Sequence, residues 1–169
     1  MPEVSLGYHC PRCTHPMEEG PFPRVCPYCR HTEYGNPRPV TILLIPHKEG
    51  LVGIRRNLAD GYGGLALPGG FVNHKEPWRR AGAREAWEEI GHEVHEDYIS
   101  LFDVRDAEGP NVTIIVGLAP HVRGPLPPFA PNEEVQERVI LHRGDELVFP
   151  THQAAMDRYF DQLNGHVRS

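Results

Sequence analysis

No stretch of this 169-residue chain comes near the ~18 consecutive apolar residues that a membrane-spanning helix needs. The first residues, MPEVSLGYHC, contain no positively charged segment followed by an apolar run, so no secretory leader is read there and a cytoplasmic location is expected. A basic excess is missing too: 17 Lys and Arg stand against 23 Asp and Glu, a formal net charge of -6. That balance argues against a protein that coats nucleic acid or an anionic membrane, both of which demand a basic surface. Any polyanionic substrate must be met by cations gathered locally. Cysteine is absent beyond residue 29. Proline (18) and glycine (17) are plentiful, so the loops should be numerous and sharply punctuated. With 39% hydrophobic residues the chain can bury the core of one ordinary domain and carry a small appendage.

The four cysteines, Cys10, Cys13, Cys26 and Cys29, form two CxxC pairs separated by 12 residues, within the local repeats CPRCTH and CPYCRH. A CxxC knuckle brings two sulfurs to one metal, and two knuckles close a tetrahedral zinc site that leaves no position for water. So short a segment has too few large apolar residues to fold alone, and metal binding would supply its folding free energy. Two disulfides fit a reducing cytosol poorly, and a redox CxxC expects a surrounding βαβ pattern that is missing. His9, His15 and His31 flank the cysteines and are read as bystanders. The segment looks like a zinc ribbon over residues 1–35, although the glycine usual after each knuckle is Thr14 and Arg30. Arg12, Arg24 and Arg30 are offset by Glu3, Glu18, Glu19 and Glu33, so no basic stripe is present and a structural role is expected.

The remaining residues, 36–169, read as one domain. Val40 to Ile45 is an apolar strand, with 51–56 as its expected hairpin partner, and LALPGGF carries a short strand into a glycine turn. Pro77 suits the first helical position and Gly91 a left-handed C-terminal cap, which predicts a helix over 77–90. Further strands are expected at 98–104, 112–119 and 138–142, and a closing helix over 151–163 with Ala155, Tyr159 and Leu163 on one stripe. Strands with only two helices imply an α/β fold, a mixed sheet covered on both faces. The proline-rich APHVRGPLPPFAPNEE reads as an extended connector, with a PxxP ligand as the alternative.

Within the predicted helix lies REAWEEIG, which sets Glu85, Glu88 and Glu89 at i, i+3 and i+4 beside Arg84. Those positions share an arc of about 100°. Like charges at that spacing destabilise a helix by a few tenths of a kcal/mol per pair, so a compensating positive charge is expected. A solvated acidic face neutralised by Arg79, Arg80 and Arg84 is the plain alternative.

From Gly70, GFVNHKEPWRRAGAREAWEEIGH resembles the Nudix box, with Gly70, Glu76, Arg84, Glu85, Ala86, Glu88, Glu89 and Gly91 on their marks and His92 where an aliphatic residue is usual. Gly82 interrupts the helix at about 1 kcal/mol relative to Ala, which suggests a close packing contact. Together with the ribbon, YGNP, LPGGF and NEE, nearly the whole chain resembles zinc-ribbon-bearing Nudix hydrolases of the NADH, ADP-ribose and FAD pyrophosphatase kinds. The resemblance implies a Nudix α/β/α sandwich behind the ribbon. It implies Mg²⁺ or Mn²⁺ held by Glu85, Glu88, Glu89 and the carbonyl of the Gly69-Gly70 turn, with Arg84 and Glu76 as supports. It also implies a catalytic base among the helix glutamates or Glu133 and Glu134. The reaction implied is hydrolysis of a nucleoside diphosphate linked to another group, releasing a nucleoside monophosphate.

NADH pyrophosphatases carry SQPWPFPxS after the box, and nothing in 92–109 matches it, so ADP-ribose or an FAD-like dinucleotide is expected. Pro110 lies slightly beyond the place of a proline common in ADP-ribose enzymes, and Leu65 replaces a tryptophan of the ribbon-bearing relatives. Tyr62, Phe71, Trp78 and Phe102 are candidates for stacking on a base or for packing. The expected partners are a small nucleotide and a second copy of the chain, without nucleic acid. The alternatives are a non-catalytic Nudix-type nucleotide sensor and a hydrolase recruited to nucleotide-capped RNA through the ribbon.

Overall fold

The structure, a computed structural model, describes residues 8–48, 50–107 and 111–166, with the backbone alone at 164–166. Pro110 therefore lies outside the described residues. The chain divides into two compact units, residues 1–37 and 38–169.

The first unit is built on two matching turns. Thr14 N–H donates to the Cys10 carbonyl at 2.8 Å, and Arg30 N–H to that of Cys26 at 3.0 Å. Both donors sit in the left-handed region, at φ 60° for Thr14 and 58° for Arg30. Each does so without glycine's freedom, at a cost of about 1–2 kcal/mol. A short antiparallel pair, β1 (Arg24–Val25) and β2 (Thr32–Glu33), closes the unit. The Arg24 guanidinium lies between the rings of Tyr8 and Phe22, 4.4 and 4.3 Å from their centroids.

The second unit is organised around β3 (Arg38–Leu44). After it come β4 (Pro46–His47), β5 (Gly50–Arg56), β6 (Leu65–Ala66), β7 (Gly69–Phe71) and α1 (Trp78–Ile90). A 3-10 turn, Glu96–Tyr98, leads into β8 (Ser100–Asp106), β9 (Val112–Leu118), β10 (Val135–Leu141) and α2 (Pro150–His166). One sheet runs β7-β3-β9-β8 and is mixed, since β3 lies parallel to β9 and antiparallel to β7. The other is antiparallel, β10-β5-β4, with β6 also on β5. The single mixed sheet expected from the strand pattern is thus two sheets.

The expected hairpin between the strand at 40–45 and residues 51–56 forms only at its turn, where Val52 N–H donates to the Ile45 carbonyl at 2.8 Å and Pro46–His47 pair with Gly50 and Leu51. Both edges of β3 are already taken by β7 and β9, so β5 pairs instead with β4 and β10. The unbroken apolar run Ile42, Leu43, Leu44, Ile45 explains why the end of β3 is buried on both faces. Ile42 and Leu44 join α2 residues Ala155, Met156 and Phe160 in one core, while Leu43 and Ile45 join Ala86 and Ile90 of α1 in the other.

Helix α1 starts one residue later than predicted, because Pro77 is extended (ψ 140°) and serves as its N-cap. Its C-terminus follows expectation. Gly91, at φ 64°, donates to the Trp87 carbonyl at 3.0 Å, and His92 N–H reaches that of Ala86 at 3.3 Å. Gly82 faces β3: an added Cβ would lie 3.0 Å from Leu43 Cδ2, and one on Gly117 of β9 would lie 2.6 Å from the same methyl. The Leu43 side chain therefore sits in a slot with a glycine on either side.

The buried stripe of α2 is His152, Ala155, Met156 and Phe160, rotated from the expected one; Leu163 is exposed. Strand β10 begins three residues earlier than expected, which brings Glu134 directly against its first residue. The proline-rich connector is irregular, and its Leu126 and Phe129 pack on the α1 side of the core. No helix among the described residues is long and apolar enough to cross a membrane.

Candidate active site

The glycine turn forms the floor of the site. Gly69 and Gly70 of β7 pair with Ile42 and Thr41 of β3. A side chain at Gly69 would strike the Thr41 carbonyl, and one at Gly70 would strike the Glu85 carboxylate. Only glycine lets the strand pass this close to β3 and to α1 together. The Gly69 N–H then donates to Glu89 Oε2 at 2.7 Å.

Arg84 organises the opposite side. Its Nη1 donates to Glu85 Oε1 at 2.7 Å and to Glu88 Oε2 at 2.9 Å. Nε and Nη2 grip Glu76 at 3.1 and 3.2 Å, and Nη2 also reaches the Phe71 carbonyl at 3.1 Å. Glu76 in turn accepts from Asn73 N–H at 2.9 Å. The Arg84 hydrogen bonds and charge hold the Glu76 carboxyl below its usual range, against a smaller opposing effect of burial.

The third wall comes from the segment before β10. Asn132 Oδ1 accepts from the backbone N–H groups of Glu134 and Val135 at 2.9 and 2.8 Å, and its Nδ2 donates to the Glu88 carbonyl at 3.0 Å. Asn57 N–H donates to the Glu134 carbonyl at 2.8 Å. These bonds bring a carboxylate of Glu134 to those of Glu85 and Glu89, with one oxygen from each within 4.8 Å of the others. Asn132 and Asn57 were not among the sequence candidates; an Asn whose side-chain oxygen can accept from the N–H two residues on is an Asx-turn signal that would have pointed to the first.

The six acidic and basic candidates separate accordingly. Glu85, Glu89 and Glu134 converge; Arg84 braces Glu85, and the Gly69 N–H holds Glu89. Glu88 turns outward to Arg84 with its side chain 53% exposed. Glu133 is exposed and lines a shallow depression with Glu88, Asn132 and Glu134.

Electrostatics marks the cluster as incomplete. Burial pushes the Glu89 carboxyl up to about 8, and the neighbouring Glu85 and Glu134 add to the rise against the Gly69 N–H. Burial also raises Glu85, opposed by Arg84 and reinforced by Glu88 and Glu134. Three converging carboxylates with this little compensation make an oxygen-rich cradle suited to a hard divalent cation.

Beside the cradle opens a cavity of 480 Å³. Besides the carboxylates it is lined by Val40, Ile42, Val112, Ile114 and Phe149, and by Arg56 and His152. Of the four aromatic candidates, Phe71 lines this cavity, under the Arg38 guanidinium at 4.6 Å. Trp78 and Phe102 pack on the cores, and Tyr62 is exposed.

In the first unit all four cysteines are free thiols. Their Sγ atoms lie within 4.8 Å of one another, with Cys10 to Cys29 and Cys13 to Cys26 both at 3.7 Å. A tetrahedron of thiolates about 2.3 Å from zinc has edges of roughly 3.8 Å, so the donor set fits that ion. His15 instead stacks on Tyr28.

A model of the NUDIX domain matches residues 35–163. Among solved structures, a NUDIX hydrolase from Nitrosomonas europaea is similar over 93% of this chain and 92% of its own, at TM-score 0.71 and 19% identity. A MutT NUDIX hydrolase from Burkholderia pseudomallei shares 26% identity, covering 72% of this chain and 97% of its own, at TM-score 0.61. A bifunctional NMN adenylyltransferase/ADP ribose pyrophosphatase from Francisella tularensis, complexed with AMP and a manganese ion, covers 75% of this chain and 42% of its own, at 17% identity and TM-score 0.63. No curated protein matches the chain.

Proposed function

The chain belongs to the NUDIX family and is a Nudix hydrolase, a nucleoside diphosphate pyrophosphatase; from that premise we propose that it cleaves ADP-ribose or an FAD-like dinucleotide with Mg²⁺ or Mn²⁺, releasing a nucleoside monophosphate. The observation that carries this reading is the convergence of Glu85, Glu89 and Glu134 beside the Gly69-Gly70 turn, in a cavity also lined by apolar side chains. Glu85, Glu89 and the carbonyl of Gly70 would hold the cation, with the Glu134 carboxylate beside it. When bound, it would neutralise the diphosphate oxygens and lower the pKa of a water.

The chain's own residues do the rest. Arg84 keeps Glu85 and Glu88 on one face of α1 and ties them to the Phe71 carbonyl. The Gly69 N–H holds Glu89 in its buried rotamer. Glu85 and Glu89 are thereby committed, whereas Glu134 is exposed and is the group with a route to pass a proton to solvent. We assign it as the base that takes the water's proton. The apolar walls exclude water from the organic part of the substrate.

The four free thiols of the first unit support one structural zinc, and a cytoplasmic homodimer belongs to the same reading. The test is a panel of ADP-ribose, FAD, NADH, diadenosine polyphosphates and dNTPs with Mg²⁺ or Mn²⁺. AMP released fastest from ADP-ribose or FAD is the expected result. Turnover confined to dNTPs, or none at all, refutes the proposal.

A further inference from the structure

His152 lies in the first turn of α2 with 8% of its surface exposed. Its Nδ1 accepts a hydrogen bond from the Leu67 backbone N–H at 3.2 Å. An amide N–H can only donate, so Nδ1 carries no proton. Burial, with Arg56 nearby, pushes the imidazole pKa down to about 3, so the ring is neutral at pH 7 and its single proton is on Nε2. The ring is steadied by that of Phe149, 5.0 Å away and tilted by 54°.

The other nitrogen has no hydrogen-bond partner among the described residues. Among the described residues the buried polar side-chain atoms without a partner are Tyr8 Oη, Glu33 Oε2 and Thr41 Oγ1. His152 Nε2 is not one of them and has no protein partner there, so it is open to the cavity that His152 lines. That cavity is lined by Glu85, Glu89 and Glu134 and also by Val40, Ile42, Val112 and Ile114, with Arg56 and Asp60 among its charged residues. A diphosphate held at the carboxylates leaves the apolar side chains for the organic part of the substrate. A nucleobase fits, because it is flat and apolar on its faces and carries acceptors on its edge.

We infer that His152 is a specificity-determining residue: its Nε2–H donates to a ring-nitrogen acceptor of the substrate's nucleobase, with the tautomer fixed by Leu67. This rests on the pyrophosphatase reading above. A site built around a fixed donor rejects a base lacking the matching acceptor, because the buried N–H is then left unpaired.

The test separates this contact from the bond to Leu67. In His152→Asn the side-chain oxygen replaces Nδ1 as acceptor for Leu67, while the side chain ends short of the Nε2 position. Calorimetric titrations in Mn²⁺ compare AMP, ribose 5-phosphate and pyrophosphate on both proteins. The expected result is AMP binding weakened about 3- to 10-fold, the other two probes unchanged, and the unfolding midpoint preserved. In turnover, KM rises and kcat holds. Unchanged AMP binding, or equal weakening of ribose 5-phosphate or pyrophosphate, overturns the inference.

A second arm needs no variant. The 1-deaza, 3-deaza and 7-deaza analogues of AMP each delete one ring acceptor, and one of the three should bind the wild-type protein about 3- to 10-fold more weakly. If all three bind as AMP does, the inference falls while the pyrophosphatase reading stands. If the wild-type protein binds neither AMP nor pyrophosphate, the pyrophosphatase reading itself has failed and the inference goes with it.

Discussion

Replacing Arg84 by methionine keeps an unbranched stem of similar length and removes every donor. Five hydrogen bonds disappear, reaching Glu76, Glu85, Glu88 and the Phe71 carbonyl. They differ in value. Glu88 is half-exposed, and a pair of that kind is worth a few tenths of a kcal/mol. Glu76 and Glu85 expose only 10% and 9% of their side chains, so each would be left as a nearly buried carboxylate without its cation. Losing a charge-assisted bond at two such sites costs about 3 kcal/mol in total. For a protein of this size that lowers Tm by roughly 6–12 °C.

The effect has a pH signature. The folded pKa of Glu76 is depressed mainly by Arg84, so its stabilisation is present above the ordinary carboxylate value near 4.5 and is lost as pH falls through the folded value. Denaturant unfolding of the wild-type and Arg84→Met proteins in EDTA should therefore show the full gap at pH 7 and a shrinking one below pH ~4.5. A gap under ~1 kcal/mol at pH 7 would mean that Arg84 is an ordinary surface ion pair, and the account of the brace would be wrong.

Glu89→Gln keeps an acceptor for the Gly69 N–H but removes the buried charge. Because the folded pKa is raised to about 8, wild-type Glu89 stabilises the metal-free fold less and less as pH climbs from about 4.5 to 8. In EDTA the variant should become the more stable protein across that window, by several kcal/mol at pH 8, while turnover with Mn²⁺ drops by orders of magnitude. Metal-dependent turnover equal to wild type would remove Glu89 from the site. Cys13→Ser should lower the zinc content from about one per chain to near zero by elemental analysis; a wild-type protein that contains none would end the zinc assignment.

The helix that carries the site was legible because its signals are local. Pro77 and Gly91 bracket it, and the glutamate spacing places three carboxylates on one arc. Which of them converge was not legible. Glu88 and Glu89 are themselves about 100° apart on the helix, and only the sheet beneath α1 decides that Glu89 is buried and Glu88 turns to Arg84. Glu133 and Glu134 pose the same problem in an extended segment, where successive side chains point to opposite faces. Their phase is set by Val135 entering the core and by Asn132 bonding to the backbone of α1. The pairing of β3 with β9 joins residues some seventy positions apart, and nothing near either strand announces it. His152 was one of 11 histidines, with no local mark to single it out.

The slot around Leu43 gives the site a remote adjustment screw. Because Gly82 and Gly117 add no bulk on either side of that isobutyl group, α1 rides as near to the sheet as two backbones and one leucine allow. A single methyl at either glycine would tend to jack the helix outward, and the carboxylates at its far end would rise off the glycine turn with it. Grip on a small cation, whose oxygens must sit at nearly fixed radii, would then be sensitive to substitutions at glycines that face Leu43 and touch none of the carboxylates.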